Sequence, residues 1–158
     1  MIEWANVGNS STPGMLTAND REIKLWRLGL KKEKKYESCK KMLSKGKLQI
    51  PRSKLLGESV EGTCKRLYKG AHDFHINSVS LNPDGETFLS VDDLRINLWN
   101  LQDANEVYNV LDIKPKSIND IEEAITSAEF HPHQSSLFNY TTSKGVLALC
   151  DFRDKSSF

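Results

Sequence analysis

The chain is poor in cysteine. Cys39, Cys64 and Cys150 are odd in number and widely spaced, and no CxxC pair occurs. That excludes a disulfide framework and a zinc knuckle, and the three read as reduced thiols. Long apolar runs are missing too. No stretch approaches the roughly 20 apolar residues that span a bilayer, so no membrane partner is expected. The opening stretch MIEWANVGNSSTPG has neither the basic start nor the apolar core of a secretory signal. A cytosolic or nuclear setting is the expectation. Catalytic signatures are also lacking: there is no P-loop, no GxSxG, no HExxH and no glycine-rich dinucleotide turn. His131 and His133 flank Pro132 without further ligands in a matching pattern, which reads as a turn rather than a metal site. No enzyme, cofactor or metal is expected.

What is present is a globular composition, 38% hydrophobic and 27% charged, too apolar for a wholly disordered chain. The net charge of +1 conceals two regions. Residues 31–54 hold nine Lys and one Arg against two Glu, a balance of +8, and the remaining 12 basic and 19 acidic residues sum to −7. Residues 73–123 are the acidic centre, with eleven Asp or Glu against Arg95, Lys114 and Lys116.

A repeat organises the chain. Asn19-Asp20-Arg21-Glu22-Ile23-Lys24-Leu25-Trp26 and Asp92-Asp93-Leu94-Arg95-Ile96-Asn97-Leu98-Trp99 both place an Asp six residues before a Trp. A degenerate copy, Ser143 to Asp151, has Cys150 in the Trp position and Lys144 in the Asp position. Upstream, Val79-Ser80-Leu81-Asn82-Pro83-Asp84-Gly85 matches Ala128-Glu129-Phe130-His131-Pro132-His133-Gln134, a strand running into a turn. The prolines are 49 residues apart and the tryptophans 73, a difference of 24, which is the length of the basic stretch 31–54. That stretch therefore reads as an insertion between two repeats. Farther on, Ser117 and Asp120 form a capping-box pattern, with Ile118, Ile121 and Ile125 at helical spacing. They predict a short helix from Ile118 to Thr126.

The central repeat predicts strands at Ile76–Leu81, Thr87–Val91 and Arg95–Asn100, separated by turns at 82–85 and 92–93. Short antiparallel runs of this kind suit a four-stranded β-propeller blade. A buried Trp99 indole needs an acceptor. Ser90, His72 and Asp93 stand where the polar chain of a WD-type blade would supply one. The expected fold is all-β, a partial WD-repeat β-propeller of about three blades with a short helix between blades. Its units are an irregular tail (1–14), an incomplete first blade (15–30), a basic insertion (31–63), a complete blade (64–110), a helical connection (111–127) and a degenerate third blade with a tail (128–158).

These residues resemble a known family. AHDFHINSVSLNPDGETFLSVDDLRINLWNL, DIKPKSINDIEEAITSAEFHP and TSKGVLALCDFR are similar to the WD-repeat B-type regulatory subunits of protein phosphatase type 2A, as is TANDREIKLWRL. The resemblance implies a non-catalytic subunit of a seven-bladed propeller family, bound to a helical-repeat scaffold subunit and a catalytic subunit, that selects phosphoprotein substrates with basic segments. It implies a substrate platform on the acidic face at Phe74, His75, Asp93 and Ile121, with Asp92 and Asp120 nearby. It also implies a scaffold-touching arm where the segment 31–54 lies. Only about three blades are present, so a partial chain is expected. Other readings stand beside this one. Asp93 and His72 can be purely structural, and Ile121 can be a packing residue. The Lys-rich stretch, with Tyr36 as its one aromatic, can be a solvated loop or a module for nucleic acid or another acidic partner, with nucleic acid the less expected. A product without a stable fold of its own is the last.

Overall fold

The computed structural model describes residues 1–5, 13–36, 43–44, 47–48 and 53–153. Its first sheet contains β1 (Ile2–Ala5), β2 (Gly14–Asn19), β3 (Glu22–Tyr36) and, after the small pair β4 (Leu43–Ser44) and β5 (Lys47–Leu48), β6 (Ser53–Tyr68). Their order is β1-β2-β3-β6. The second sheet is β7 (Ser78–Leu81), β8 (Thr87–Val91), β9 (Arg95–Asn100) and β10 (Val107–Asp112). The third is β11 (Ile125–Phe130), β12 (Leu137–Thr142) and β13 (Leu147–Asp151). Neighbouring strands within each sheet are antiparallel. Three blades of a β-propeller lie side by side.

The middle blade shows why these residues make strands. Its side chains alternate between two faces, as a period of two requires. Phe88 and Trp99 are paired and point into the core shared with the first blade, beside Leu16, Leu25 and Tyr68. Leu89, Val91 and Ile96 point the other way and pack with Ile125, Ala128 and Phe138 of the third blade. A strand buried on both faces carries mostly apolar residues, as FLSV does, while RINLW buries the polar Asn97 among Ile96, Leu98 and Trp99. At the turn after β7, Gly85 has φ = 71° and its N–H donates to Asn82 O at 3.0 Å. Glycine takes that left-handed conformation without steric cost.

Several expectations are corrected here. The first blade is not a remnant. Ile2–Ala5, inside the segment expected to be an irregular tail, pairs with β2, and β6 supplies a fourth strand. Both were obscured because β1 is only four residues long and most of β6 is exposed and polar. The helix expected from Ile118 to Thr126 is not formed. A single 3-10 turn covers Ile118–Asp120, closed by Asp120 N–H donating to Ser117 O at 3.1 Å, and Ile125 and Thr126 belong to β11. Burial of Ile125 and Ala128 against the middle blade wins over helical spacing.

The basic insertion is not a plain solvated loop in its described part. Past Arg27, β3 no longer pairs with β2, and residues 28–36 pair with β6 alone. These nine residues form a two-stranded ribbon reaching about 30 Å beyond the blade at about 3.3 Å per residue. Leu30 lies opposite Val60, Lys34 opposite Leu55 and Tyr36 opposite Ser53, all on one face. Leu30 and Val60 are 71% and 70% exposed. The other face carries Lys31, which bridges to Glu61 at 3.0 Å. Residues 37–42, 45–46 and 49–52 of the segment, with Cys39, lie outside the described residues.

Tyr68, the last residue of β6, locks the first two blades together. Its ring meets Phe88 edge-on at 5.0 Å and Trp99 at 5.6 Å. Its hydroxyl donates to Leu101 O at 2.9 Å. Burial pushes the Tyr68 hydroxyl up to about 12, against a smaller opposing pull from Arg66. Tyr68→Phe keeps the ring contacts and orphans a buried carbonyl. The expected outcome is a loss of about 1–3 kcal/mol in urea denaturation; an unchanged midpoint would show that this bond contributes nothing net.

Candidate functional site

Four side chains far apart in sequence meet inside the middle blade. Trp99 Nε1 donates to Ser90 Oγ at 2.7 Å, Ser90 Oγ lies 2.6 Å from His72 Nε2, and His72 Nδ1 lies 2.8 Å from Asp92 Oδ2. Indole is only a donor, so Ser90 must accept from it. A carboxylate only accepts, so His72 Nδ1–H donates to Asp92, and Nε2 of a neutral imidazole is then the acceptor for the Ser90 hydroxyl proton. Asp92 Oδ1 also accepts the Leu94 and Arg95 amides at 2.8 and 2.7 Å. Burial alone would push the Asp92 carboxyl up. The His72 hydrogen bond and the two amides outweigh it, and the group is held below the ordinary carboxylate range.

This corrects two assignments. Asp93, expected from its spacing to close the network, does not; the neighbouring Asp92 does. Asp92 in turn cannot contact a substrate, being 0% exposed. Two consecutive aspartates point to opposite faces of a strand end, and only the inward one reaches His72. The Ser90-His72-Asp92 order is that of a hydrolytic triad. Ser90, however, is fully buried and its oxygen is occupied by Trp99, so no substrate carbonyl can approach it.

The first blade keeps half of this arrangement. Trp26 Nε1 donates to Thr17 Oγ1 at 2.9 Å, nine residues back, the same spacing as Trp99 to Ser90. That shared spacing is the signal by which Thr17 could have been found. In the third blade Cys150 lies opposite Phe138, and Phe138 stacks on Phe152 at 4.6 Å in place of a polar network.

The outward residues gather on one side of the sheets. Antiparallel strands return to the same side after every second strand. The turns at 20–21, 92–94 and 143–145 therefore emerge with the loops at 69–77 and 113–124. Phe74 there is half-buried, and His75 is exposed with Nδ1 3.4 Å from Asp20 Oδ1. Asp93 is half-buried, its Oδ1 accepting from Asn77 Nδ2 at 2.7 Å. Asp120 is exposed, and Ile121 is 36% exposed rather than a packing residue.

The acidity of this side is not uniform. Arg95 donates to Asp73 Oδ2 at 3.2 Å and to Asp112 Oδ2 at 2.9 Å, and Lys114 donates to Asp73 Oδ2 at 3.0 Å. Lys114, then Arg95, holds the Asp73 carboxyl below its usual range. Glu122 pairs with Lys144 at 3.0 Å. Asp93 and Asp120 carry no ion pair among the described residues, nor does Glu123 in the same loop, and these acids are left for a basic ligand. Composition alone could not separate the two groups.

Comparison with known proteins agrees with this geometry. The family of the WD domain, G-beta repeat, matches residues 62–100. The β-propeller domain of Cps50 (Swd1) from Myceliophteria thermophila superposes with a TM-score of 0.55 at 17% identity, over 97% of this chain and 34% of that one. At that identity the likeness concerns the fold alone. The chain thus carries a WD repeat at residues 62–100 and has the blade architecture of a β-propeller. It is also 42% identical over 164 residues, 98% of its length, to the serine/threonine-protein phosphatase 2A regulatory subunit sur-6 of Caenorhabditis elegans, and covers 33% of that protein. The chain spans about a third of the length of the curated relative it matches.

A carboxyl held low in the folded state adds stability that is present above its unfolded value and is lost as pH falls through the folded one. Asp92→Asn is therefore expected to cost stability in full above about pH 4, with the gap to the unaltered chain closing in stronger acid. Urea melts of both proteins across that range check this, and a gap that does not depend on pH would remove the ionised Asp92 from the account.

Proposed function

We propose that this chain acts as part of a non-catalytic regulatory subunit of a Ser/Thr protein phosphatase type 2A, joining a scaffold and a catalytic subunit and helping to select phosphoprotein substrates. The observation that carries this is the 42% identity to such a subunit across 98% of the chain. The geometry supports it in three ways. The Ser-His-Asp array is sealed and structural, which leaves the chain a binding role. Phe74, His75, Asp93, Asp120 and Ile121 emerge on one side, mixing apolar and acidic groups suited to a basic phosphopeptide. An acidic surface steers such segments to encounter at low salt. The ribbon of β3 and β6 falls in the segment for which the resemblance implies an arm, and it shows Leu30, Tyr36, Leu55 and Val60 to solvent. Exposed apolar side chains in one stripe suit a protein surface.

The test is capture of purified scaffold and catalytic subunits by the chain. Co-purification is expected. Replacing Leu30 and Val60 by Ser touches no core and is expected to weaken capture about tenfold, a range of loss ordinary for exposed anchor residues, with the thermal melt unmoved. Absence of both subunits from a folded sample would sink the reading for this chain. Salt-dependent retention of nucleic acid by the basic segment instead would favour the alternative partner.

A further inference from the structure

We infer that Asn77 is a positioning residue for substrate contact: its side-chain amide ties the three outward segments of the candidate platform into one unit. This rests on the reading of that surface given above. Asn77 is held first through its backbone, whose N–H donates to Val91 O at 2.7 Å. Its Nδ2 then donates to Asp93 Oδ1 at 2.7 Å and to Ile125 O at 3.0 Å. Ile125 N–H returns a bond to Asp93 O at 2.7 Å. The result is a closed ring of three residues from the loop just before the middle blade's first strand, its outward turn, and the first strand of the third blade.

Each member of the ring adjoins a candidate contact. Phe74 and His75 lie just before Asn77 in the chain, Asp93 is itself a member, and Asp120 and Ile121 precede Ile125 by four or five residues. The amide group therefore adds a side-chain tie to the backbone links between the three segments. It also sets the direction of the Asp93 carboxylate. With Oδ1 engaged by Asn77, Oδ2 is the oxygen left to accept a Lys or Arg of a bound segment.

The ring belongs to this seam alone among the described residues. Between the first and second blades, Asp20 O accepts Ile76 N–H at 2.8 Å, which repeats the Asp93–Ile125 backbone link. There the Asp20 carboxylate faces His75 at 3.4 Å in place of an amide. In the third blade the position matching Asn77 is Thr126, whose hydroxyl bonds to Thr141 within its own sheet.

The probe is a fluorescent phosphoserine peptide with flanking Lys and Arg, titrated into the full chain and followed by anisotropy, which needs no phosphatase. Asn77→Ala frees Asp93 and is expected to raise Kd about tenfold, the loss of one hydrogen bond to a charged group. Asn77→Asp sets a second carboxylate against Asp93. One of the two then binds a proton more readily, and the protonated form restores the donor. That variant is expected to bind weakly near neutral pH and to recover as pH falls, whereas Asn77→Ala stays weak throughout. A merely structural role would give the two variants the same pH profile. Variants that bind the peptide as tightly as the unaltered chain overturn the inference, and so does an unaltered chain that ignores the peptide. If the unaltered chain binds the peptide but captures no phosphatase subunit, the regulatory role fails and the positioning role of Asn77 stands.

Discussion

The indole N–H of Trp99 imposes the constraint on which the middle of the molecule is built. It is a donor with no acceptor capacity, placed 2% exposed between two blades. Left unpaired it would cost about 1–3 kcal/mol. Ser90 satisfies it, and Ser90 in turn needs His72, and His72 needs Asp92. A demand by one atom thus fixes four side chains across 28 residues of sequence, and each member is satisfied only when all the others are in place. Networks of that kind are rigid when complete and expensive when broken.

Because Trp99 also stacks with Phe88 at 6.3 Å and meets Tyr68, the polar chain and the apolar seam are one object. The first blade grips the second through aromatic rings. The second grips the third through aliphatic side chains from the opposite faces of the same strands. A single sheet therefore transmits order in both directions. The backbone links from Asp20 O to Ile76 and from Asp93 O to Ile125 repeat at each seam and set the outward turns in step with the strands that follow them.

Much of this was legible in the residues. The Asp-to-Trp spacing located the blades, and β8 and β9 fall at the predicted bounds because apolar runs buried on both faces leave a clear trace. The acid of the polar chain was misplaced by one residue, since two adjacent aspartates satisfy the same spacing and only their directions differ. Isoleucines at helical spacing suggested a helix, but tertiary burial of Ile125 decided otherwise. The ribbon was illegible for the opposite reason. Its strands bury little, so their sequence is free to be polar, and only pairing over nine registered positions reveals them. Asn77 carries no motif. Its role comes from three segments that meet only after folding.

The strand β6 has two ends in very different surroundings. Ser53 stands far out on the ribbon, and Tyr68 is wedged against Phe88 and Trp99 in the core. The intervening backbone is paired along its length, with bulges opposite Leu25/Trp26 and Glu33/Lys34 as its soft points. The ribbon is thus a lever whose short arm is an aromatic ring in the seam between blades. A load at its far end arrives at that seam as torque, and the two bulges set how much of the bending is absorbed along the way.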